Sequence, residues 1–254
     1  NYNGQLGDGT TTDRHQPTIV NGSHSWASVT AGRYHTCGLT EGGEGYCWGA
    51  NNHGQLGTRS GPHLRPWVPH TSPALVSGGH TWASVTAGYD HTCGMTTAGK
   101  AYCWGRNKYG GLGDGGLISQ PIPVPVKGAY TWRALDVGGS HTCGVTTAGE
   151  AYCWGANNLG QLGNRLSATS RSPVLVSGER TWASVSIGYY HVCALTTTGE
   201  AYCWGWNNSG QLGDGMMVTR REPTLVSGEF EWLSLNGGYY HSCGLTTAEE
   251  AYCW

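Results

Sequence analysis

The chain carries little charge and almost no lysine. Asp, Glu, Lys and Arg together make up 12% of its 254 residues, and Lys100, Lys108 and Lys127 are the only lysines. The formal net charge is −2. Nucleic-acid binders carry a clustered basic face, so the composition argues against that partner. Phenylalanine occurs once and methionine three times, so other side chains must fill any core. No apolar run approaches the eighteen or so residues of a membrane span, and none is expected. No secretory leader is recognisable, and the first residue is Asn1 rather than Met, which either processing or trimming would explain. What the chain has in quantity is 43 glycines, 14 tyrosines, 12 tryptophans and 10 cysteines. That mixture suits a turn-rich β protein with ample aromatic burial, and does not suit a disordered chain.

One stretch recurs five times. His-x-Cys, an apolar residue, Thr and a closing Tyr-Cys-Trp run from His35 to Trp48, and again at His91–Trp104, His141–Trp154, His191–Trp204 and His241–Trp254. An upstream tryptophan marks each copy at Trp26, Trp82, Trp132, Trp182 and Trp232. The first interval is longer than the others, which places an insertion between Thr58 and Pro73. A period near fifty residues means stacked units that share their cores, so residues 1–254 are expected to form a single domain.

The fourth copy shows the elements. Trp182–Ile187 alternates as strand A, His191–Thr196 reads as strand B, and Ala201–Trp204 reads as strand C. Gly199 sits in the tight B-to-C hairpin, where a positive φ is expected. Residues 223–226, opening on Pro223, read as an outer strand D, since an edge strand need not donate every N–H. Four short antiparallel strands per repeat predict an all-β fold, a five-bladed β-propeller. The chain begins in a C-to-D loop and ends on a strand C. From those ends a closed ring is expected, with the N-terminal strand D completing the C-terminal blade.

The recurring glycines and aromatics, such as Gly88, His91-Thr92, Tyr102-Cys103-Trp104-Gly105 and Gly160-Gln161-Leu162-Gly163, resemble the repeat of the regulator of chromosome condensation family. The resemblance runs along nearly the whole chain. It implies four-stranded blades and a protein that binds other macromolecules. Family members typically have seven blades, where this chain has five repeats.

The cysteines fall in pairs ten positions apart: Cys37 and Cys47, Cys93 and Cys103, Cys143 and Cys153, Cys193 and Cys203, Cys243 and Cys253. Reflecting strand B onto strand C about Ala98 sets Cys93 opposite Cys103 and Met95 opposite Ala101, with Gly94 facing Tyr102. Facing residues in an antiparallel ladder are close enough to bridge. Five intra-blade disulfides are the favoured reading, beside reduced cysteines packed as apolar residues and a zinc site. Disulfides imply an oxidising compartment, hence secretion or the cell surface, and argue against nucleotide exchange on a nuclear GTPase.

The repeated histidines, His35, His91, His141, His191 and His241, read as structural, since a catalytic group is normally unique. In Gln5–Gly9 and Gln211–Gly215 the leucine reads as a core plug and the aspartate as a turn former. Asn21 and Asn207 open glycosylation-type triplets. No catalytic set appears, and no cofactor or metal is expected. Two functions remain: a non-catalytic extracellular scaffold for a protein or other macromolecule, or a multivalent lectin binding glycan. Light-sensing family members carry tryptophan in the A-to-B turn, and this chain has none there. Strand direction puts the A-to-B and C-to-D loops on one face. That face gathers the candidate binding residues Arg33, Tyr34, Tyr89, Asp90, Tyr189, Tyr190, Tyr239 and Tyr240, with Arg106 and Trp206 further out. Tyr, Trp and Arg dominate recognition surfaces. Trp67, in the insertion, is a further candidate.

Overall fold

The structure is a computed structural model that describes residues 1–59 and 69–254. Trp67 and most of the insertion lie outside the described residues. Blade 1 comprises β1 (Trp26–Ala31), β2 (His35–Thr40), β3 (Gly45–Gly49) and β4 (His70–Leu75). Blade 2 follows as β5 (Trp82–Ala87), β6 (His91–Thr96), β7 (Ala101–Gly105) and β8 (Gln120–Pro125). Blade 3 is β9 (Trp132–Val137), β10 (His141–Thr146), β11 (Ala151–Gly155) and β12 (Ser170–Leu175). Blade 4 is β13 (Trp182–Ile187), β14 (His191–Thr196), β15 (Ala201–Gly205) and β16 (Arg220–Leu225). Blade 5 has β17 (Trp232–Gly237), β18 (Ser242–Thr246) and β19 (Ala251–Cys253). Each sheet is a simple antiparallel meander, and the blades form a β-propeller.

The expected strands A and B of blade 4 coincide with β13 and β14, and Gly199 turns the hairpin between β14 and β15 with φ of 82°. Strand D starts earlier than expected, at Arg220, because a register irregularity between Cys203 and Gly205 lets the outer strand pair before its proline. Cys93 faces Cys103 and Met95 faces Ala101, as the reflection requires. All ten cysteines are bridged within their blades, with Cα–Cα distances of 4.0–4.1 Å. Gly94 does face Tyr102, but the ring that needs its missing side chain is Trp82: a Cβ there would lie 2.7 Å from the indole.

Between blades, one carbonyl does two jobs. Gln55 O accepts the Trp104 indole N–H at 2.9 Å and the Thr92 hydroxyl at 2.8 Å. Because that hydroxyl proton is spent on the carbonyl, His35 must donate its Nε2–H to the Thr92 oxygen, 2.8 Å away. The same relay links His91 to Thr142 and His191 to Ser242. His35, His91 and His191 therefore have a structural role, each tying its blade to the next. Leu56, Leu112, Leu162 and Leu212 plug the core beside these bonds. In the A-to-B turns, backbone bonds such as Tyr89 N to Gly138 O and Tyr189 N to Gly238 O continue the connection.

The expected closure by the N-terminal strand does not occur. No strand forms in residues 1–25, and β19 ends the fifth sheet with three strands. Residues 1–9 dock on blade 1 instead: Gln5 O accepts Trp48 Nε1 and Thr36 Oγ1, and Gly9 N donates to Thr71 O. Arg14 pairs with Asp8 at 2.7 Å just as Arg220 pairs with Asp214, so residues 14–19 correspond to a strand D. Yet they pair with no strand, and Ile19 is 88% exposed. The physical reason is that strand order along the chain carries no information about the angle between blades. At the two ends, positions buried elsewhere are open: Val29 is 65% exposed where Val85 is 9%. Ala251, Cys253 and His241 are exposed where Ala101, Cys103 and His91 are buried.

Candidate recognition face

The A-to-B turns converge on the inner end of the array. Their tips hold Arg33, Tyr89, Gly139, Tyr189 and Tyr239 in equivalent positions, followed by Tyr34, Asp90, Ser140, Tyr190 and Tyr240. The aromatic members form one continuous cluster. Tyr189 stacks on Tyr239 with centroids 4.2 Å apart and planes 11° apart. Tyr190 and Tyr240 meet these rings edge-on, and Trp206 lies 5.0 Å from Tyr240. Tyr189 also reaches across blade 3 to Tyr89, at 4.8 Å. Gly139 permits that reach, since a Cβ there would sit 2.9 Å from the Tyr189 ring. On the other side, the Arg33 guanidinium lies 4.4 Å from the Tyr34 centroid and 4.0 Å from that of Tyr89. Such cation–π contacts fix the orientation of an exposed cation. Arg106 pairs with Asp90 at 2.9 Å.

The structure thus brings every described candidate to one face, with Trp206 inside the aromatic cluster. Tyr34, Tyr239 and Tyr240 are exposed, while Tyr89, Tyr189, Tyr190 and Trp206 are half-buried. Burial raises the Tyr189 phenol above its ordinary range, and the neighbouring Tyr190 and Tyr239 add to this. A hydrogen bond with Tyr239 is the main cause of a rise at Tyr240. Tyr189 and Tyr240 therefore stay neutral donors at any physiological pH.

Two features of this face escaped the sequence reading. Outside the tyrosines, the C-to-D loops expose Ile118, Leu166 and the run Met216-Met217-Val218, with Met217 at 71%. A buried asparagine shapes each of these loops. Asn207 accepts from Leu212 N and donates to Asp214, Met216 O and Val218 O. That committed amide is no acceptor for a glycan in the folded protein, whereas Asn21 is exposed. The second feature is a cavity of about 410 Å³ below the turn tips, between the inner strands. Its wall repeats one position from each blade: Thr30, Thr86, Asp136, Ser186 and Asn236. The hydroxyl of Thr30 accepts from Ala87 N of the next blade, and that of Ser186 accepts from Gly237 N. Asp136 does the same for Ile187 N at 2.7 Å, and also accepts from Val137 N and Thr86. Burial pushes its carboxyl up against the pull of those three bonds. Comparing this one position across the five repeats would have singled it out.

Antiparallel meanders that share their cores from one repeat to the next define the chain as a β-propeller. The RCC1-like domain family matches residues 1–254, and the chain belongs to that family. It is 36% identical over 125 residues to the ultraviolet-B receptor UVR8 of Arabidopsis thaliana, covering 48% of this chain and 28% of that protein. Among solved structures, human WBSCR16 superposes with a TM-score of 0.82 at 24% identity, over 96% of this chain and 65% of that one. The ectodomain of the Physcomitrella patens receptor kinase CR4 superposes with a TM-score of 0.60 at 22% identity, over 92% and 51%. The chain spans less than a third of the length of the first curated relatives it matches.

Proposed function

We propose that this propeller is a non-catalytic scaffold that binds a protein partner through the A-to-B and C-to-D face. One observation carries the reading: the aromatic cluster is continuous, partly exposed and unevenly spread, with Tyr-Tyr in the turns of blades 4 and 5, one tyrosine in each of blades 1 and 2, and no ring in the turn of blade 3. Large rigid rings with polar tips are the groups that dominate protein recognition. A multivalent lectin would need the same pocket in several blades, and only blades 4 and 5 share a turn, Tyr189-Tyr190 and Tyr239-Tyr240, whereas Arg33-Tyr34, Tyr89-Asp90 and Gly139-Ser140 each differ. The exposed loop residues Met216 to Val218 extend the apolar surface outward, as a partner-facing rim would. Five disulfides support a working place in an oxidising setting, secreted or at the cell surface. The shared fold of the CR4 ectodomain is compatible with that placement.

Peptides selected from a random display library against the folded protein provide the test. Selected binders should lose at least about tenfold in affinity for a Tyr189→Ala, Tyr239→Ala double variant. They should bind a Thr147→Ala, Thr197→Ala variant of the hairpin face normally. Dependence on the hairpins alone, or glycan-array binding with no peptide binders, would overturn the assignment.

A further inference from the structure

We propose that the cavity beneath the tyrosines is a lysine receptor, in which the carboxylate of Asp136 takes the ammonium group of a partner's lysine side chain. The inference deepens the reading of this face as the recognition surface and rests on it. Its first support is that the charge of Asp136 exceeds its structural task. At the equivalent positions a threonine or serine hydroxyl accepts the next blade's N–H, at 3.2 Å for Thr30 and 2.9 Å for Ser186. A neutral oxygen is therefore enough to join the blades. Asp136 brings an anion to the cavity wall, and among the described residues no cation pairs with it. A partly buried carboxylate without a counter-ion is costly, and an arriving ammonium relieves that cost.

The second support is shape. The cavity wall includes Ala31, Ala87, Val137 and Ile187. Aliphatic walls suit the four methylenes of lysine, which pack along apolar surface while the charged head seeks a polar partner. Tyr89, Tyr189 and Tyr239 also line the cavity, so its rim is aromatic. The opposing group is Arg33, which lines the same cavity and carries a like charge. Its guanidinium is held between Tyr34 and Tyr89 by the stacking described above, so its repulsion is a definite and removable quantity.

The test uses the full chain and three capped pentapeptides, with lysine, norleucine or glutamate flanked by glycines. Binding is read by NMR from the amides of Val137 and Ile187, which donate to Asp136. The lysine peptide should shift both amides saturably and the other two peptides should not. Asp136→Ser, which copies the residue at position 186, should weaken lysine binding at least about tenfold. Arg33→Gln should strengthen it, because a like charge is removed; this second variant stands even if Asp136→Ser folds poorly. Equal binding of the norleucine peptide, binding of the glutamate peptide, or indifference to both substitutions overturns the proposal. If no lysine peptide binds while display-selected binders still need Tyr189 and Tyr239, the lysine receptor falls and the recognition face stands.

Discussion

At the scale of single residues, the buried histidines decide how the protein responds to acid and where it is imperfect. Burial holds His35, His91 and His191 at a pKa of about 4, and His141 at about 3, against an ordinary 6.5. The unfolded chain therefore binds protons that the folded chain refuses. The stability these neutral rings contribute is fully present above pH 6.5 and is lost as the pH falls toward 4. Each can cost up to about 1.4 kcal/mol per pH unit in that window. Asp136, with its raised pKa, acts in the opposite sense, but it is one carboxyl against four imidazoles. Denaturant midpoints should hold from pH 8 to 7 and fall steeply between 6 and 5; a flat profile would mean that the rings are hydrated. His141 is the odd member. Its relay partner in the next blade is Val192 in place of Thr or Ser, and neither ring nitrogen finds a hydrogen bond. Val192→Thr should restore the relay to Gln161 O and stabilise the protein by about 1 kcal/mol, a net gain typical of one buried hydrogen bond. An unchanged or lower melting temperature would show that His141 is already satisfied.

At the scale of elements, strands A to C were legible in the sequence and strand D less so. Alternation marked Trp182–Ile187, and the fixed spacing of Cys93 and Cys103 about Ala98 gave the register of the hairpin. The outer strand was misplaced because its register irregularity depends on how Gly205 lets β15 bend, which no local pattern records. The face bearing Tyr189 and Tyr239 was legible because strand direction alone decides which loops share a side. The stacking across Gly139 was not, since it depends on which way Tyr189 leans. The hairpin disulfides are alike in register but unlike in cover. Both sulfur-bearing residues are fully buried in blades 1 to 4, whereas in blade 5 Cys253 is exposed and Cys243 half-buried. Thiol exchange needs access to a sulfur. Mild reduction of the native protein followed by alkylation and mass spectrometry should therefore label Cys243 and Cys253 first, with the other eight protected until unfolding. Simultaneous labelling of all five pairs would contradict the burial order.

At the scale of the whole molecule, the repeat fixes what each blade does to its neighbour but not whether the ends meet. Every internal interface packs the strand-A tryptophan of one blade, with the valine or leucine three residues on, against the disulfide of the blade before it. Trp82 and Val85 share a cluster with Cys37, Cys47 and Leu56. Blade 1 offers the same pair, Trp26 and Val29, with no blade in front of it, and residues 14–19 stand ready as a strand D without a partner. Sequence periodicity made the closed ring look natural because both halves of the missing contact are present; their separation in space is a property of the accumulated angle between blades. A matched pair of substitutions measures the difference. Val85→Asp buries an unpaired charge in the interface of blades 1 and 2 and should cost several kcal/mol. Val29→Asp places the same charge at a largely exposed position and should change stability by no more than about 0.5 kcal/mol. Denaturant unfolding of the two variants, compared with the parent, reads both numbers directly. If Val29→Asp proves as damaging as Val85→Asp, then Val29 is covered in solution, and the two ends of the array are joined by a contact that the structure does not contain.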